Sequence, residues 1–251
     1  RSTTLQILSD DYDEATFDIT LTGTGLNATP TIGDIADQTI DEDVNTGALT
    51  FTIGDFETAA SSLTVTRASS DTTLVPLANI VLGGSGASRT LTVTPAANLS
   101  GTAIITVTVS DGTVSTSDTF NLTVNAVNDA PTLNSITSPG AIQEDASQQT
   151  VLLSGISAGP NESQTLTVTA TSNNTALIPN PTVSYASPNT TGSVLYTPVA
   201  NMSGTATFTV TVNDGQGSSN TTSQTFNVIV HAVNDARSLD ASATPDAILE
   251  D

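Results

Sequence analysis

The chain has 251 residues, with 25 Asp and Glu against 4 Lys and Arg, and its formal net charge is -21. Because phosphate backbones repel such a charge, nucleic acid is excluded as a default partner. The absence of cysteine excludes disulfides, thiolate nucleophiles and cysteine metal sites, and no apolar run approaches the ~18 residues of a membrane helix, so we expect no membrane insertion of this segment.

The first predicted element is a strand pair within residues 1–26, which contain LQILSDDYDEATFDITLTGTG. Its apolar residues alternate on both sides of an acidic turn formed by Asp10, Asp11, Asp13 and Glu14. The turn lacks the central Gly and terminal Glu of a helix-loop-helix calcium loop, so we interpret it as a solvated acidic loop.

The rest of the chain is an internal repeat. TPAANLSGTAIITVTVSDG at 94–112 matches TPVANMSGTATFTVTVNDG at 197–215, and DTFNLTVNAVND at 118–129 matches QTFNVIVHAVND 106 residues later. The repeat predicts one domain at 27–127, a second at 128–233, and the start of a third at 234–251.

Inside each repeat the hydrophobic period is two. Ala103, Ile105, Val107 and Val109 alternate with polar or exposed-phase residues, and no helical stripe occurs. Further strands are predicted at 48–53, 62–67, 89–94 and 118–125, with Gly, Pro, Asn and Asp between them. About seven short strands in ~100 residues predict an all-β fold of tandem two-sheet antiparallel sandwiches.

Acidic residues of the second repeat are confined to predicted strand ends. Residues 132–233 contain Glu144, Asp145, Glu162 and Asp214 and no Lys or Arg. Carboxylates without basic partners repel one another, and Ca²⁺ is the hard cation that binds such oxygens. The alternative is that the Asp of the SDG and NDG segments only makes a turn.

The linkers carry a family resemblance. AVNDAP at 126–131 and AVNDAR at 232–237 are each followed by a Glu-Asp pair, at 144–145 and 250–251. With the acidic residues before LTVTATS and the GTAxxTVTVxDG strand, they resemble cadherin-like tandem repeats of large bacterial surface proteins. The resemblance implies immunoglobulin- and cadherin-like sandwiches in an extended rod, with Ca²⁺ between consecutive domains.

The resemblance also implies the metal ligands. The central junction would use Glu42, Asn128, Asp129, Asn161, Glu162 and Asp214. The upper junction would use Asn27, Asp55, Glu57 and Asp111, and Ala28 stands where the linker Asp of the family belongs. The lower junction would use Glu144, Asn234 and Asp235.

The leading segment has a resemblance of its own. LQILSDDYDEATFDITLTGTG is similar to the last two strands of Hydin-type immunoglobulin-like domains of secreted bacterial proteins. This similarity implies that residues 1–26 are the C-terminal strands of a preceding immunoglobulin-like domain.

Catalytic candidates are few. His231 is the single histidine and has no cysteine or second histidine to form a triad or zinc set. The Asp41-Glu42-Asp43 run could serve general acid-base chemistry, but no cleft is expected between such small sandwiches. The GGSG at 83–86 has no following helix or Lys, so we interpret it as a loop and expect no enzyme activity.

The sequence thus predicts a structural repeat segment of an extracellular bacterial surface protein, an adhesin stalk or fibre with calcium-stiffened joints. The expected location is extracellular, on the cell surface or secreted. Expected partners are neighbouring repeats of the same chain, with lateral self-association and cell-surface glycans as further candidates. The alternative is a carbohydrate- or surface-binding module attached to a secreted enzyme. That alternative needs exposed aromatics, whereas Phe51, Phe120, Phe208 and Phe226 lie at core-phase positions and only Phe56, Tyr185 and Tyr196 stay open.

Overall fold

A computed structural model describes residues 2–8, 16–23 and 25–235. The predicted acidic turn around Asp10 to Glu14, and the third repeat beyond Asp235, lie outside the described residues. The described residues form seventeen strands and one short 3-10 helix, Leu77–Asn79. None of them forms a helix that is long and apolar enough to cross a membrane. The chain divides into two compact units, Arg1–Val127 and Asn128–Asp251.

Strands β1 (Ser2–Leu8) and β2 (Thr16–Thr22) pair as an antiparallel hairpin. The register places Leu5 opposite Ile19 and Thr3 opposite Leu21, so apolar residues share one face. Leu5 and Leu21 remain about half exposed. The assignment of this hairpin to a preceding immunoglobulin-like domain stays a prediction.

The first unit continues as a sandwich of two four-stranded sheets. Its strands are β3 (Thr31–Ile32), β4 (Gln38–Asp41), β5 (Leu49–Gly54), β6 (Thr64–Ser69), β7 (Ile80–Ser85), β8 (Ser88–Val93), β9 (Gly101–Ser110) and β10 (Ser115–Asn125). One sheet has the order β4-β10-β9-β6 and the other β3-β5-β8-β7. Pairing is antiparallel except between β4 and β10, which run parallel.

The second unit repeats the strand order of the first unit's β4-β10-β9-β6 sheet, and its other sheet has one strand fewer. Its strands are β11 (Ile142–Gln143), β12 (Gln149–Ser154), β13 (Thr167–Ser172), β14 (Thr182–Ser184), β15 (Thr191–Tyr196), β16 (Gly204–Asn213) and β17 (Thr221–His231). One sheet has the order β11-β17-β16-β13 and the other β12-β15-β14. The predicted all-β sandwich fold is therefore confirmed.

The period-two pattern places the core as expected. In β9 and β16 every second residue is buried while the Thr-rich alternates face outward. Such strands are stable because branched side chains pack on the pleat and their hydroxyls stay hydrated on the other face. The second core also contains three aromatic rings in contact. Phe208 contacts Tyr196 and Phe226 edge to face, and the ring centroids of each pair are 5.1 Å apart.

One local prediction needs correction and one open position is decided. The GGSG at 83–86 is not a separate loop, because residues 83–85 belong to β7 and only the following residues turn the hairpin into β8. A side chain at Gly84 would collide with the backbone of β8, and its φ of +78° favours glycine, so the glycines permit close strand approach. Tyr185, left open from the sequence, packs against the second core.

Candidate functional site

The beginning of the second unit is held by two linker residues. The Asn128 side-chain amide donates to Asp214 Oδ2 at 3.0 Å and to the Ser218 carbonyl at 2.9 Å. The next residue, Asp129, donates its backbone N–H to Glu162 Oε1 at 2.9 Å. The linker is therefore fastened to the turn after β16 and to the loop before β13.

The first unit has the same arrangement at its own beginning. The Asn27 amide donates to Asp111 Oδ2 at 2.7 Å, and the backbone N–H of Ala28 donates to Glu57 Oε2 at 3.1 Å. Glu57 is positioned in turn because its N–H donates to Asp55 Oδ1 at 2.9 Å. This bond uses only the backbone N–H of residue 28. It therefore forms although Ala28 stands where the family has an Asp.

At the other end of each unit a glutamate holds the residue that leaves the last strand. Glu42 Oε1 accepts the N–H of Val127 at 2.7 Å, and Glu144 Oε1 accepts the N–H of Val233 at 2.8 Å. The backbone of Glu144 also donates to the carbonyl of His231 at 2.8 Å. Seven acids of the predicted ligand sets thus each accept a backbone or amide N–H group near one end of their unit: Glu42, Asp55, Glu57, Asp111, Glu144, Glu162 and Asp214.

The Asp that follows each of these glutamates has a different role. Asp43 Oδ1 accepts the N–H of Asn98 at 2.9 Å, and Asp145 Oδ1 accepts the N–H of Asn201 at 3.1 Å. The loops concerned contain residues with positive φ, among them Asn98 and Asn201. The second acid of the repeated pair therefore supports a tight loop, a role that the sequence pattern did not separate from that of the glutamate.

Burial distinguishes two of these carboxylates. Among the described residues, Glu144 at 7% exposure and Asp214 at 3% are the charged side chains in the buried class. Buried carboxylates cost free energy unless hydrogen bonds compensate them, which their contacts with Val233, Asn128 and Gln216 provide.

Asp111, in the equivalent position of the first unit, has a lowered pKa. The main cause is the hydrogen bond from the N–H of Val114, followed by the bond from the Asn27 amide and that from the N–H of Thr113. Each donor favours the ionised carboxyl. Asp111 therefore stays an anion that can accept from the linker.

Two carboxylate oxygens fit a bound cation. Asp55 Oδ2 in the first unit and Glu162 Oε2 in the second are buried and have no hydrogen-bond partner. An ionised oxygen without a donor is the kind of atom that a hard cation satisfies, and Ca²⁺ binds carboxylate and amide oxygens. Nevertheless, no three acidic or histidine side chains of the described residues gather closely enough to hold a metal ion.

Not all predicted ligands take part in these contacts. Asn161 is exposed with a φ of +56°, a turn conformation, and Asn234 and Asp235 are exposed beyond β17. The structure adds Gln164, whose amide donates to Asn128 Oδ1 at 3.3 Å and whose Oε1 is buried without a partner. Gln164 is neutral and has no matching residue in the first repeat, so no pattern in the sequence indicated its role.

Features expected of a sugar platform or an active site are few in the described part of the chain. The side chains of Phe51, Phe120, Phe208 and Phe226 are buried, as predicted, and so is Tyr196, while Phe56 is 92% exposed. His231 is exposed at the end of β17. Its ring therefore lies outside the core that the sandwich buries.

The match to a known family covers the second unit. Residues 128–229 match the family described as a bacterial Ig domain. This part of the chain is a bacterial immunoglobulin-like domain. The first unit shares the strand order of one sheet and the linker contacts, which agrees with the resemblance to bacterial immunoglobulin-like repeats seen in the linkers.

Solved structures with some similarity include tandem immunoglobulin domains. The titin domains Z1Z2 in complex with telethonin are 16% identical, with a TM-score of 0.38 over 84% of this chain and 100% of that one. An endo-fucoidan hydrolase of glycoside hydrolase family 107 is 20% identical, with a TM-score of 0.34 over 93% of this chain and 34% of that one. Tandem Ig repeats of Dlar are 12% identical with a TM-score of 0.30, covering 81% and 98%. No curated protein sequence matches the chain.

Proposed function

We propose that these bacterial immunoglobulin-like repeats are a structural segment of an extracellular surface protein, a stalk or fibre that spaces and orients other parts of it. The observation that carries the proposal is the recurrence of the same linker contacts in both units. Asn27 with Asp111 and Asn128 with Asp214 fix where each unit begins. A chain that only needed independent sandwiches would not need its linker residues fastened by charged groups.

We further propose that Ca²⁺ stiffens the joints. The unpartnered oxygens of Asp55 and Glu162 support this role, as does the clustering of acids at unit ends without a base. In the second unit Glu162, Asp214 and the linker residues Asn128 and Asp129 would supply oxygens. Bound calcium would supply positive charge that offsets the repulsion among these carboxylates.

No catalytic role is part of the proposal. Glu42 and Asp43, the acids weighed for general acid-base chemistry, each accept a backbone N–H group, which gives them a structural role in the fold. The proposed location is outside the cell, because calcium sites of extracellular modules are loaded only at about 10⁻⁴ to 10⁻³ M calcium.

Glu162→Gln tests the calcium joint without removing the linker bond. The amide oxygen can still accept the N–H of Asp129, while an NH₂ group replaces the unpartnered Oε2. We expect calorimetry to show calcium binding to the 251-residue chain at about 10⁻⁴ to 10⁻³ M, and at least tenfold weaker binding in the variant. Calcium should also change the hydrodynamic radius of the parent chain more than that of the variant.

Asp34→Asn is the matched control. Asp34 is exposed and has no described hydrogen bond, so its replacement removes one charge and no contact. We expect calcium affinity within a factor of about two of the parent, because a distant exposed charge is screened by salt. Absence of calcium binding in the parent, or equal losses in the two variants, would refute the calcium joint and leave the linker contacts as purely structural.

A further inference from the structure

The outer edge of β13 is an unpaired strand edge. β13 (Thr167–Ser172) is the last strand of its sheet and pairs only with β16. Its sequence, TVTATS, contains no charge, no proline and no glycine. Natural proteins usually protect such edges, because they offer a template for another strand.

The register shows which backbone groups point outward. Asn173, in line with the strand, donates its N–H to the carbonyl of Thr207, its partner across the ladder. Antiparallel pairs alternate between bonded and non-bonded, so Thr167, Thr169 and Thr171 direct their N–H and C=O groups to β16. The N–H and C=O groups of Val168 and Ala170 must then point away from the sheet.

Side chains cover the two ends of this edge but not its centre. The N–H of Leu166 donates to Ser187 Oγ at 3.1 Å, and the N–H of Ser172 donates to Asn180 Oδ1 at 2.9 Å. The backbone groups of Leu166 and Ser172 point away from β16, as those of Val168 and Ala170 do. The side chains of Ser187 and Asn180 therefore take the place of a neighbouring strand at the two ends. Between them the outward groups of Val168 and Ala170 have no described partner.

The first unit protects the same edge with an arginine. Arg67 lies in the middle of β6, at the position that the repeat aligns with Ala170 of the second unit. Its Nε donates to the carbonyl of Leu77 at 3.1 Å, so its side chain lies across the edge. A second copy placed there would bring two arginines together, which is unfavourable for neighbouring strands.

We propose that the β13 edge binds the β13 edge of a second copy of this chain. A two-fold antiparallel pairing centred on Thr169 places Val168 of one copy opposite Ala170 of the other, and the reverse. Every outward N–H and C=O of these two residues then gains a partner, and the two sheets become one continuous sheet. A two-fold interface of this kind is self-complementary, because each copy presents the same strand. The pairing does not depend on the proposed calcium joints.

Charge favours a second copy over a charged partner. The strands of this sheet in the second unit carry no Asp, Glu, Lys or Arg, and His231 stands at the end of β17, two strands from the edge. The unit contains no Lys or Arg within 132–233. Asp214 follows the residue paired with Thr167 and so lies about 10 Å along the strand from Thr169. The two-fold centred on Thr169 places the two Asp214 residues about 20 Å apart along the strands, which is more than two Debye lengths at physiological salt, so repulsion between them is largely screened.

Sedimentation of the 251-residue chain over a range of concentrations tests the proposal. We expect reversible dimers that become more stable as salt rises, because salt screens the net charge of -21. Ala170→Arg copies the residue of the first unit and should weaken dimerisation at least tenfold. The fold should tolerate it, since Arg67 occupies the matching position in β6.

Thr225→Arg is the control, because it adds the same charge to an exposed residue of β17, away from the edge. It should leave the dimer constant within about twofold. Amide hydrogen exchange gives a second readout: Val168 and Ala170 should exchange rapidly at low concentration and become protected as dimers form. A chain that stays monomeric throughout, equal effects of the two arginines, or dimers without protection at Val168 and Ala170 would each overturn the proposal.

Discussion

Replacing Asp214 should destabilise the second unit more than replacing any exposed acid of the chain. Asp214 is 3% exposed, and its two oxygens accept the Asn128 amide at 3.0 Å and the N–H of Gln216 at 2.9 Å. Hydrogen bonds to a charged group contribute about 1.5–3 kcal/mol each, and the cost of burying the carboxylate offsets part of this sum. Asp214→Ala should therefore lower the free energy of unfolding by about 2–4 kcal/mol.

Asp214→Asn distinguishes the contribution of the negative charge from that of the side chain's shape, because Asn has nearly the same shape and no charge. The amide oxygen can still accept the N–H of Gln216, but the NH₂ group would face the NH₂ group of Asn128, a donor against a donor. We expect about half of the loss seen with alanine, since one of the two hydrogen bonds survives. Asp235→Asn is the control, because Asp235 is exposed beyond β17 and has no described hydrogen bond.

Urea unfolding followed by tyrosine fluorescence measures this effect in the right unit. The chain has no Trp and three Tyr, of which Tyr185 and Tyr196 lie in the second unit. With an m-value of about 1–3 kcal/mol/M, the alanine variant should unfold at a urea concentration lower by about 0.7–4 M. The measurement should be made in chelator, so that calcium release does not contribute.

The reasoning fails if Asp214→Ala shifts the transition no more than Asp235→Asn does. That result would mean that solvent replaces the two hydrogen bonds without cost, and that the linker contact contributes nothing to the stability of the unit. A large loss in both asparagine variants would instead show a general effect of negative charge rather than a local contact.

Two further predictions concern the core and an exposed acid. Phe208→Leu should cost the second unit about 1.5–3 kcal/mol, because it removes two edge-to-face ring contacts from a fully buried site. Ile105→Leu at the matching position of the first unit should cost under about 1.5 kcal/mol; urea unfolding of both variants followed by circular dichroism measures the two losses, and equal losses would contradict the role of the rings. The pKa of Asp37 lies below its usual 3.8, chiefly because the backbone N–H of Asn121 donates to it and then because the Asn121 side chain does. The contact therefore stabilises the fold above the unfolded pKa and is lost as pH falls through the lowered one. Asn121→Ala removes the side-chain donor but keeps the backbone N–H, so in an NMR titration the pKa of Asp37 should rise only part of the way toward 3.8, and an unchanged value would contradict the role of the Asn121 side chain.

The sequence by itself determined the repeat, the sandwich and the places where acids collect. Hydrophobic alternation is a local property, so the buried residues of β9 and β16 could be predicted one by one. The same holds for the position of the second repeat's acids, which the sequence places at strand ends, although only the structure shows that Glu144 and Asp214 are buried there. A repeat that recurs after about a hundred residues also fixes domain size, because each copy must bury its own core.

Only the tertiary structure decided what those acids touch. The bonds from Asn27 to Asp111 and from Asn128 to Asp214 join residues 84 and 86 positions apart, and the bond from Val233 to Glu144 spans 89. Such pairings depend on how the strands cross between sheets, which a period-two pattern does not encode. The pattern therefore grouped these acids as metal ligands and missed that each one fastens a linker.

The same reason explains why adjacent acids separate in function. In the Glu144–Asp145 pair the glutamate is buried against the backbone of Val233, whereas the aspartate supports the loop at Asn201. Neighbouring residues at a strand end point to opposite sides, so they meet different parts of the fold. Likewise β6 and β13 read as equivalent strands from their alternation. Only the structure shows that both strands are the last of their sheets, and that Arg67 bonds the carbonyl of Leu77 at one edge while Ala170 stands in its place at the other.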